Sequence, residues 1–302
     1  MATELYYRMI GDYARELTKK FLDLEPNEKY DRLSETGAWL SYIERPPYNT
    51  KNFNHWRYTR TPIIKDGVNA TRHHDSDDLV SYGETFLTSV LQSSYMHNWP
   101  AILAFKSLLG MFSEVHSPMH TSELFSKQFP EGDGSGENFY VIFNNQNVSL
   151  KWFWETGCGR YTSLLPFTEE QWKAIDARVD YYKQNYDSSS VRKSSRDFNA
   201  IATESYKIAV DYVYAGLSPG DTLNQTYITK CQEITDERIA KSGFTIAYRV
   251  GSFKDPVFYE SKISYPSKVS VSFSVSIGLF VFLLPIAFFM IYKYFTEKEK
   301  AE

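Results

Sequence analysis

The stretch that decides the fold runs from Leu109 to Glu155 and reads LGMFSEVHSPMHTSELFSKQFPEGDGSGENFYVIFNNQNVSLKWFWE. Its chemically active side chains form two groups in the sequence: Glu114, His116 and His120 in the first, and Lys151 and Glu155 in the second. A glycine-rich turn, Asp133-Gly134-Ser135-Gly136, separates the two groups. Carboxylates and histidines at such spacing suggest a metal site or an acid–base site. We therefore expect the rest of the chain to be organised around this stretch.

The composition is that of a folded, globular chain. Of the 302 residues, 23% are charged and 17% are aromatic, which distinguishes the chain from disordered sequences. The net charge of −4 provides no basic surface for non-specific binding to duplex nucleic acid. The charge therefore argues against a duplex-binding groove, whereas a metal-lined pocket would still be able to hold phosphates.

Helical periodicity dominates the chain up to about residue 252. Apolar residues recur at helical spacing and strand signals are sparse, so we predict a mainly α, multi-helix domain over residues 1–252. The predicted helices cover 3–24, 30–44, 79–95, 99–115, 171–186, 199–215 and 227–249. One small β-hairpin is expected, because aromatic and polar residues alternate in 139–143 and 148–152.

The C-terminal part of the chain differs in kind. Val269 to Tyr292 is a run of 24 residues without charge, bracketed by Lys268 and Lys293. A helix of that length covers ~30 Å or more, which is enough to cross a bilayer. We predict a single transmembrane helix at 269–292, preceded by a juxtamembrane linker at 253–268 and followed by a short polar tail at 293–302.

Short motifs occur in a fixed order along about residues 5–250. They are Trp39-Leu40-Ser41, Trp56-Arg57-Tyr58, Ser113 to His120, Asp133 to Glu137, Ser149 to Glu155, Glu204-Ser205 and Ser242 to Ala247. In this order they resemble motifs of the zinc-dependent, single-strand-specific class I nucleases, a family related in fold to zinc phospholipase C. The resemblance implies a helical phospholipase C/nuclease-like domain. It also implies a hydrolase that cleaves phosphodiester bonds of single-stranded DNA or RNA, and 3′-nucleotides, with three zinc ions.

Most of the zinc ligands that the resemblance implies are replaced in this chain. The corresponding positions are Ser41, Arg57, Gly110, Glu114, His120, Lys151 and Glu155. His120 is identical to the family ligand, and Glu114 and Glu155 occupy positions where the family has aspartate. The family's N-terminal Trp and the following His would fall at or before Met1–Thr3, where neither occurs. Because Arg57 and Lys151 place positive charge where cations should sit, at a cost of ~1–4 kcal/mol per pair, we do not expect a three-zinc cluster.

Two interpretations of the remaining site residues stay open. In the first, Arg57 pairs with Glu114 and Lys151 pairs with Glu155, and these ion pairs replace the metal as a crosslink. In the second, Glu114, His120 and Glu155 bind at most one zinc ion. His116, which is not a ligand in the family, is interpreted as a packing or hydrogen-bonding residue.

The compartment is predicted from cysteines, sequons and the N-terminus. A disulfide between Cys158 and Cys231 fits an oxidising compartment, whereas two free thiols fit the cytosol. Sequons for glycosylation begin at Asn69, Asn147 and Asn224. The first 25 residues contain no apolar signal-peptide core. We favour a single-pass membrane glycoprotein whose domain is extracellular or lumenal, and the alternative is a tail-anchored protein with a cytosolic domain.

The function that the sequence predicts is a membrane-anchored nuclease homologue with little or no catalysis. Such a pseudoenzyme would bind single-stranded nucleic acid or nucleotides through Arg57 and Lys151. Two alternatives are an active nuclease or 3′-nucleotidase with a reduced metal site, and a surface interaction protein with an inert pocket. The sequence predicts no particular protein partner.

Overall fold

A buried helix, α5 (Asn98–Val115), forms the centre of the fold. The computed structural model describes residues 1–23, 33–44, 46, 49–70, 77–92, 95–163, 166–189, 197–253 and 257–259. The other α-helices there are α1 (Ala2–Met9), α2 (Asp12–Leu22), α3 (Trp39–Ile43), α4 (Leu79–Gln92), α6 (Pro118–Thr121), α7 (Leu150–Glu155), α8 (Glu169–Asn185), α9 (Phe198–Ile208) and α10 (Gln225–Val250). Short 3-10 helices cover Leu33–Ala38 and Lys51–Arg57, and a π-helical turn, Ala209–Val213, follows α9. The predicted mainly α fold is confirmed.

The sequence of α5 explains its central position, because the helix carries buried apolar side chains of its own on most of its faces. Phe105 stacks on Phe21 of α2 with ring centroids 4.5 Å apart, and Phe112 stacks on Phe198 of α9 at 4.7 Å. Each of these buried aromatic side chains contributes roughly 1.5–3 kcal/mol through removal of apolar surface from water. A helix that is apolar on all sides has to be enclosed by its neighbours.

The helix predicted at 3–24 is wrong, because two helices occupy this region. The backbone is extended at Ile10 and Gly11, with ψ angles of 146° and 175°. Helix α1 packs against α10, where a Cβ atom on Gly243 would lie 2.8 Å from Leu5 Cδ2 and 2.9 Å from Ala2 O. The apolar spacing continues across the break, so periodicity alone hides it. Gly11 was the available signal, since glycine disfavours a helix interior by about 1 kcal/mol.

The strands form short pairs at the edge of the helical core. Strand β1 (Thr61–Ile64) runs parallel to β3 (Ser122–Phe125), with Thr61 opposite Ser122. Strand β2 (Tyr95–His97) runs parallel to β6 (Val257–Tyr259). Strands β4 (Tyr140–Phe143) and β5 (Gln146–Ser149) form an antiparallel hairpin.

The predicted hairpin is confirmed, with a correction to its second strand. The turn residues Asn144 and Asn145 both have positive φ, 49° and 61°, as a two-residue type I′ turn requires. The second strand was predicted at 148–152, but the chain turns into helix α7 at Leu150. The side chain of Ser149 caps this helix, since its Oγ accepts a hydrogen bond from Trp152 N at 3.1 Å.

A buried polar cluster joins α5, α9 and α10. Arg238 is 4% exposed and donates through Nε to His116 O at 3.0 Å and through Nη2 to Ser205 Oγ at 2.7 Å. Its Nη1 lies 2.9 Å from Glu204 Oε2. Burial, together with the charge of Arg238, lowers the pKa of His116 to about 3, so this neutral ring donates from Nδ1 to Phe112 O. We call Arg238, His116, Glu204 and Ser205 the frame cluster.

A disulfide bond joins Cys158, in the turn after α7, to Cys231 of α10. Both cysteines are 1% exposed. The crosslink spans 73 residues of sequence, and a loop of this length stabilises the folded state by about 4 kcal/mol when its closure restricts the unfolded chain. Of the two alternatives for these cysteines, the disulfide is present and the free thiols are not.

None of the helices in the described part of the chain combines the length and apolarity that a membrane crossing requires. The predicted span at 269–292, the tail at 293–302 and most of the linker at 253–268 lie outside that part. The domain boundaries and the membrane anchor therefore stay predictions.

Candidate functional site: ion pairs at the positions of the family's metal ligands

Three short elements meet the C-terminal end of α5: the 3-10 helix Lys51–Arg57, α6 and α7. Glu114 lies in the last turn of α5, and Arg57 ends the 3-10 helix Lys51–Arg57. His120 lies on α6, and Glu155 is the last residue of α7. We call these four residues and Glu44, which follows α3, the site cluster. They come from elements far apart in sequence, so the cluster is a product of the tertiary fold.

Arg57 connects two carboxylates in the site cluster. Its Nε donates to Glu114 Oε1 at 2.8 Å, and its Nη1 donates to Glu44 Oε2 at 2.7 Å. The side chains are only 14–16% exposed. Burial alone would lower the pKa of Arg57, but Glu114, Tyr58 and Glu44 raise it above the ordinary value. Arg57 is therefore a permanent cation between two acidic side chains.

His120 is hydrogen-bonded through both ring nitrogens to acceptor oxygens. Its Nε2 lies 2.7 Å from Glu155 Oε1, and its Nδ1 lies 2.8 Å from Glu114 Oε2 and 2.8 Å from Arg57 O. Burial would lower the pKa of His120, but Glu114 and Glu155 raise it well above its usual value. Because an oxygen acceptor faces each nitrogen and the raised pKa favours the charged form, we assign His120 as an imidazolium that donates from both nitrogens.

Glu114 and Glu155, two of the three carboxylates of the site cluster, have lowered pKa values and are ionised. Burial alone would raise the pKa of Glu114, but the charges of Arg57 and His120 lower it to about 2. Burial acts in the same way on Glu155, whose pKa is lowered by the hydrogen bond from His120. Two cations and their carboxylates thus form one buried ionic network.

Lys151 lies next to the site cluster and pairs outside it. Its Nζ is 3.3 Å from Glu137 Oε2 and 5.0 Å from the centre of the Tyr58 ring. The ring of Tyr58 stacks on His120 with centroids 4.5 Å apart. The predicted direct pair of Lys151 with Glu155 is wrong, because His120 binds Glu155 instead. Glu155 still acts on Lys151 at longer range, since it raises the lysine pKa against the effect of burial.

Gly110 packs against its neighbours, and Ser41 forms a local hydrogen bond. A Cβ atom on Gly110 would lie 3.0 Å from Leu40 Cδ1 and 3.5 Å from Gly37 O. Leu40 therefore fills the space that a histidine at position 110 would need. Ser41 donates from Oγ to Ala38 O at 2.9 Å, within its own helical turn. Of the seven predicted positions, the structure brings Arg57, Glu114, His120 and Glu155 into direct contact, with Lys151 beside them.

Sequence reasoning missed Glu44, Tyr58 and Glu137 as partners in the site. Glu44 is not a ligand position in the motifs, and Tyr58 belongs to the motif Trp56-Arg57-Tyr58 without being a ligand position. A charge count was the available signal, because Arg57 and Lys151 add two cations that need acidic partners. That count does not say which of the chain's acidic residues approach them.

The residues present do not fit the three-zinc group that the resemblance implies. Zinc requires ligands with a free lone pair, and the side chains at Arg57, Gly110 and Lys151 provide none. The guanidinium of Arg57 occupies the position between Glu114 and Glu44. Within the described ranges, no group of three or more His, Cys, Asp and Glu side chains is arranged to hold a metal ion. In the trio predicted for a single zinc, His120 lies within hydrogen-bonding distance of both Glu114 and Glu155, and binding of one zinc ion there stays a prediction.

Comparison with known proteins agrees with the motifs. A family model for S1/P1 nucleases matches residues 11–252. The chain belongs to the S1/P1 nuclease family. It is also similar to Endonuclease 5 of Arabidopsis thaliana, with 22% identity over 237 residues, which cover 72% of this chain and 73% of the relative. The predicted family relationship is confirmed, and nucleic acid is the class of substrate that the S1/P1 family suggests.

Proposed function

We propose that this chain is a non-hydrolytic member of the S1/P1 nuclease family, in which cations of the protein replace the catalytic metals. The observation that carries the proposal is the position of His120, 2.8 Å from Glu114 and 2.7 Å from Glu155, beside the guanidinium of Arg57. These groups link α5, α6 and α7 by charge, as bound metal ions would.

The proposed replacement removes the chemistry that hydrolysis needs. Phosphodiester cleavage by metal ions relies on a coordinated water of lowered pKa and on cationic stabilisation of the transition state. Glu114 accepts from Arg57 and His120, and Glu155 accepts from His120; these contacts lower both pKa values and make both carboxylates weaker general bases. Without an activated water, and with only weakened bases, we expect no turnover above background.

We also propose that the site binds phosphate weakly. Four cationic side chains lie around the Tyr58 ring: Arg57, Arg60, His120 and Lys151. Four carboxylates pair with members of this set: Glu44, Glu114, Glu137 and Glu155. The formal charges cancel, so an incoming phosphate meets no net positive potential. This argues against tight binding of single-stranded nucleic acid or nucleotides through Arg57 and Lys151.

A role as a membrane-anchored surface protein is the part of the proposal that rests on sequence. The uncharged run 269–292 supports a single C-terminal span. The disulfide between Cys158 and Cys231 supports a domain on the extracellular or lumenal side, because disulfides persist in oxidising compartments. The proposed activity is therefore an interaction at that surface, with the inherited pocket inert.

A turnover assay tests the proposal directly. The full chain is incubated with single-stranded DNA, single-stranded RNA and a 3′-nucleotide, with added zinc and in parallel with a chelator. We expect no chelator-sensitive product. Turnover on the order of 1 per second or more, the ordinary range for enzymes, would refute the non-hydrolytic proposal. In a second arm, oligonucleotide binding by the wild type and by Lys151→Ala should be equally weak; tight binding that is lost in Lys151→Ala would support the phosphate-binding alternative.

A further inference from the structure

Trp99 is the most exposed large apolar side chain in the described part of the chain. It lies in the first turn of α5 and is 68% exposed. His97 before it and Pro100 after it are exposed as well. Pro100 has no N–H group, so this end of α5 carries one unpaired backbone donor fewer than an ordinary helix start. A single exposed tryptophan does not define a binding surface by itself, and its place in the fold decides what it contacts.

The chain leaves the described domain beside Trp99. Strand β6 pairs with β2 in a parallel register that puts Tyr259 opposite His97, two residues before Trp99. Because paired strands lie about 4.8 Å apart, this end of β6 is next to the start of α5. At the other end of the exit segment, the half-exposed Tyr13 donates from Oη to Phe253 O at 3.0 Å. An exposed aromatic side chain thus accompanies each described end of the segment 253–259.

The length of the following chain limits how far this exit can lie from a membrane. The uncharged run begins at Val269, shortly after Tyr259. The chain between these two residues spans at most about 33–36 Å when it is fully extended. With the run 269–292 crossing a bilayer, as in the proposed function, the exit of the domain stays within that distance of the membrane surface.

We propose that Trp99 and Tyr13 dock the domain on the bilayer that holds its anchor, with the indole of Trp99 in the headgroup layer. Tryptophan and tyrosine are enriched at membrane–water interfaces, because each combines an apolar ring with a polar group that stays hydrated. The partner is a lipid surface recognised through aromatic side chains, so a zwitterionic lipid is sufficient. The inference rests on the proposed membrane anchor and is independent of the proposed loss of hydrolysis.

Docking through Trp99 keeps the site cluster away from the lipid. Glu114 lies about four turns after Trp99 on α5, which is about 22 Å along the helix axis. Helix α7, which carries Glu155, meets this second end of α5 and also bears Trp152, which is 39% exposed. Trp99 and Trp152 are therefore exposed tryptophans at opposite ends of the central helix, and the proposal puts only Trp99 in contact with lipid.

Quenching by brominated lipid tests this contact on the full chain. The protein is reconstituted into phosphatidylcholine vesicles with and without bromine on the acyl carbons nearest the headgroup, and the tryptophan emission is measured. Bromine quenches an indole only at close range, so substitution can resolve the contributions of the six tryptophans. Trp99→Phe removes the proposed contact, and Trp152→Phe is the matched control. We expect bromine to quench the wild type and Trp152→Phe equally, and we expect this quenching to be lost in Trp99→Phe.

Equal quenching in Trp99→Phe and Trp152→Phe overturns the docking. Flotation of the vesicles in a density gradient separates this failure from failure of the anchor. A chain that floats without quenching through Trp99 has the anchor and lacks the docking, whereas a chain that does not float lacks both. A Trp99-dependent shift of the emission to shorter wavelength with rising protein concentration in lipid-free detergent solution would assign this face to a second copy of the chain, and it would also overturn the proposal.

Discussion

The frame cluster and the site cluster lie on two sides of the same helix end, and they differ in their relation to the family motifs. Glu114 belongs to the site cluster, and His116, two residues later, belongs to the frame cluster. Both clusters are buried networks in which an arginine connects elements from distant parts of the chain.

The difference is in the residues that form them. Glu204 and Ser205 in the frame cluster are the Glu-Ser pair of the family motifs, and His116 is the first of the two histidines in the motif Ser113 to His120. In the site cluster, Arg57 stands at a ligand position that the resemblance implies. The frame cluster therefore matches the family motifs, whereas the site cluster departs from them and is held together by ion pairs. On the proposed function, these ion pairs between protein side chains replace metal ions as the crosslink.

The largest effect is expected from breaking the frame cluster. Arg238→Ala removes one of the two cations that pair with Glu204, since Lys241 remains, and takes the donor away from the buried atoms His116 O and Ser205 Oγ. The free energy of unfolding should therefore fall by about 3–5 kcal/mol. Denaturant unfolding of the full chain measures this. Lys230→Ala, on the exposed face of the same helix, is the matched control and should change stability by less than about 0.5 kcal/mol. Equal effects in the two variants would show that the frame cluster is not a structural centre.

A smaller loss is expected from breaking the site cluster. Arg57→Ala removes the cation that pairs with Glu44, whereas Glu114 keeps its pair with His120, so the loss should be about 2–3 kcal/mol. A double-mutant cycle with Glu114→Ala should show a coupling of roughly 0.5–3 kcal/mol. Additive effects of the two changes would contradict the role of Arg57 as a crosslink to α5.

Gly110→His tests whether the space of a family ligand has been lost. Its side chain would collide with Leu40, and overpacking of this kind costs about 1–3 kcal/mol. Gly11→His is the control, since a Cβ atom there meets nothing within 4 Å, and its cost should stay below about 1 kcal/mol. A Gly110→His variant as stable as the control would mean that the position still accepts a histidine.

The smallest effect concerns acid stability of the frame cluster. Burial would raise the pKa of Glu204, but Arg238 and Lys241 lower it to about 2. A carboxylate with a lowered folded-state pKa stabilises the protein above the unfolded-state value of 4.5. That contribution disappears as the pH falls from about 4.5 to about 2. Glu204→Gln should be less stable at pH 7 and should lose less stability over this interval; thermal melts against pH measure both, and parallel profiles would contradict the assignment.

Local pattern predicted most of the helices and the hairpin, because apolar spacing and turn residues are short-range properties. Within the helix predicted at 30–44, however, Leu33–Ala38 is a 3-10 helix and only Trp39–Ile43 is α-helical, and the short strands outside the hairpin were not predicted. Local pattern also failed at Gly11, where two helices share one apolar period, and at Leu150, where the cap formed by Ser149 ends the second strand. The pairing of Arg57 with Glu114 followed from the sign of the substitutions. The partners Glu44 and Glu137 did not follow, because which carboxylates approach a cation depends on how distant elements pack.

The central claim is that protein cations occupy the places of the metals, and zinc stoichiometry tests it most directly. The full chain is dialysed against zinc and then against zinc-free buffer, and bound zinc is measured by inductively coupled plasma mass spectrometry. Arg57→Ala serves as the comparison that removes one cation. The account predicts less than one zinc ion per wild-type chain. Two or more tightly bound zinc ions per chain would contradict it.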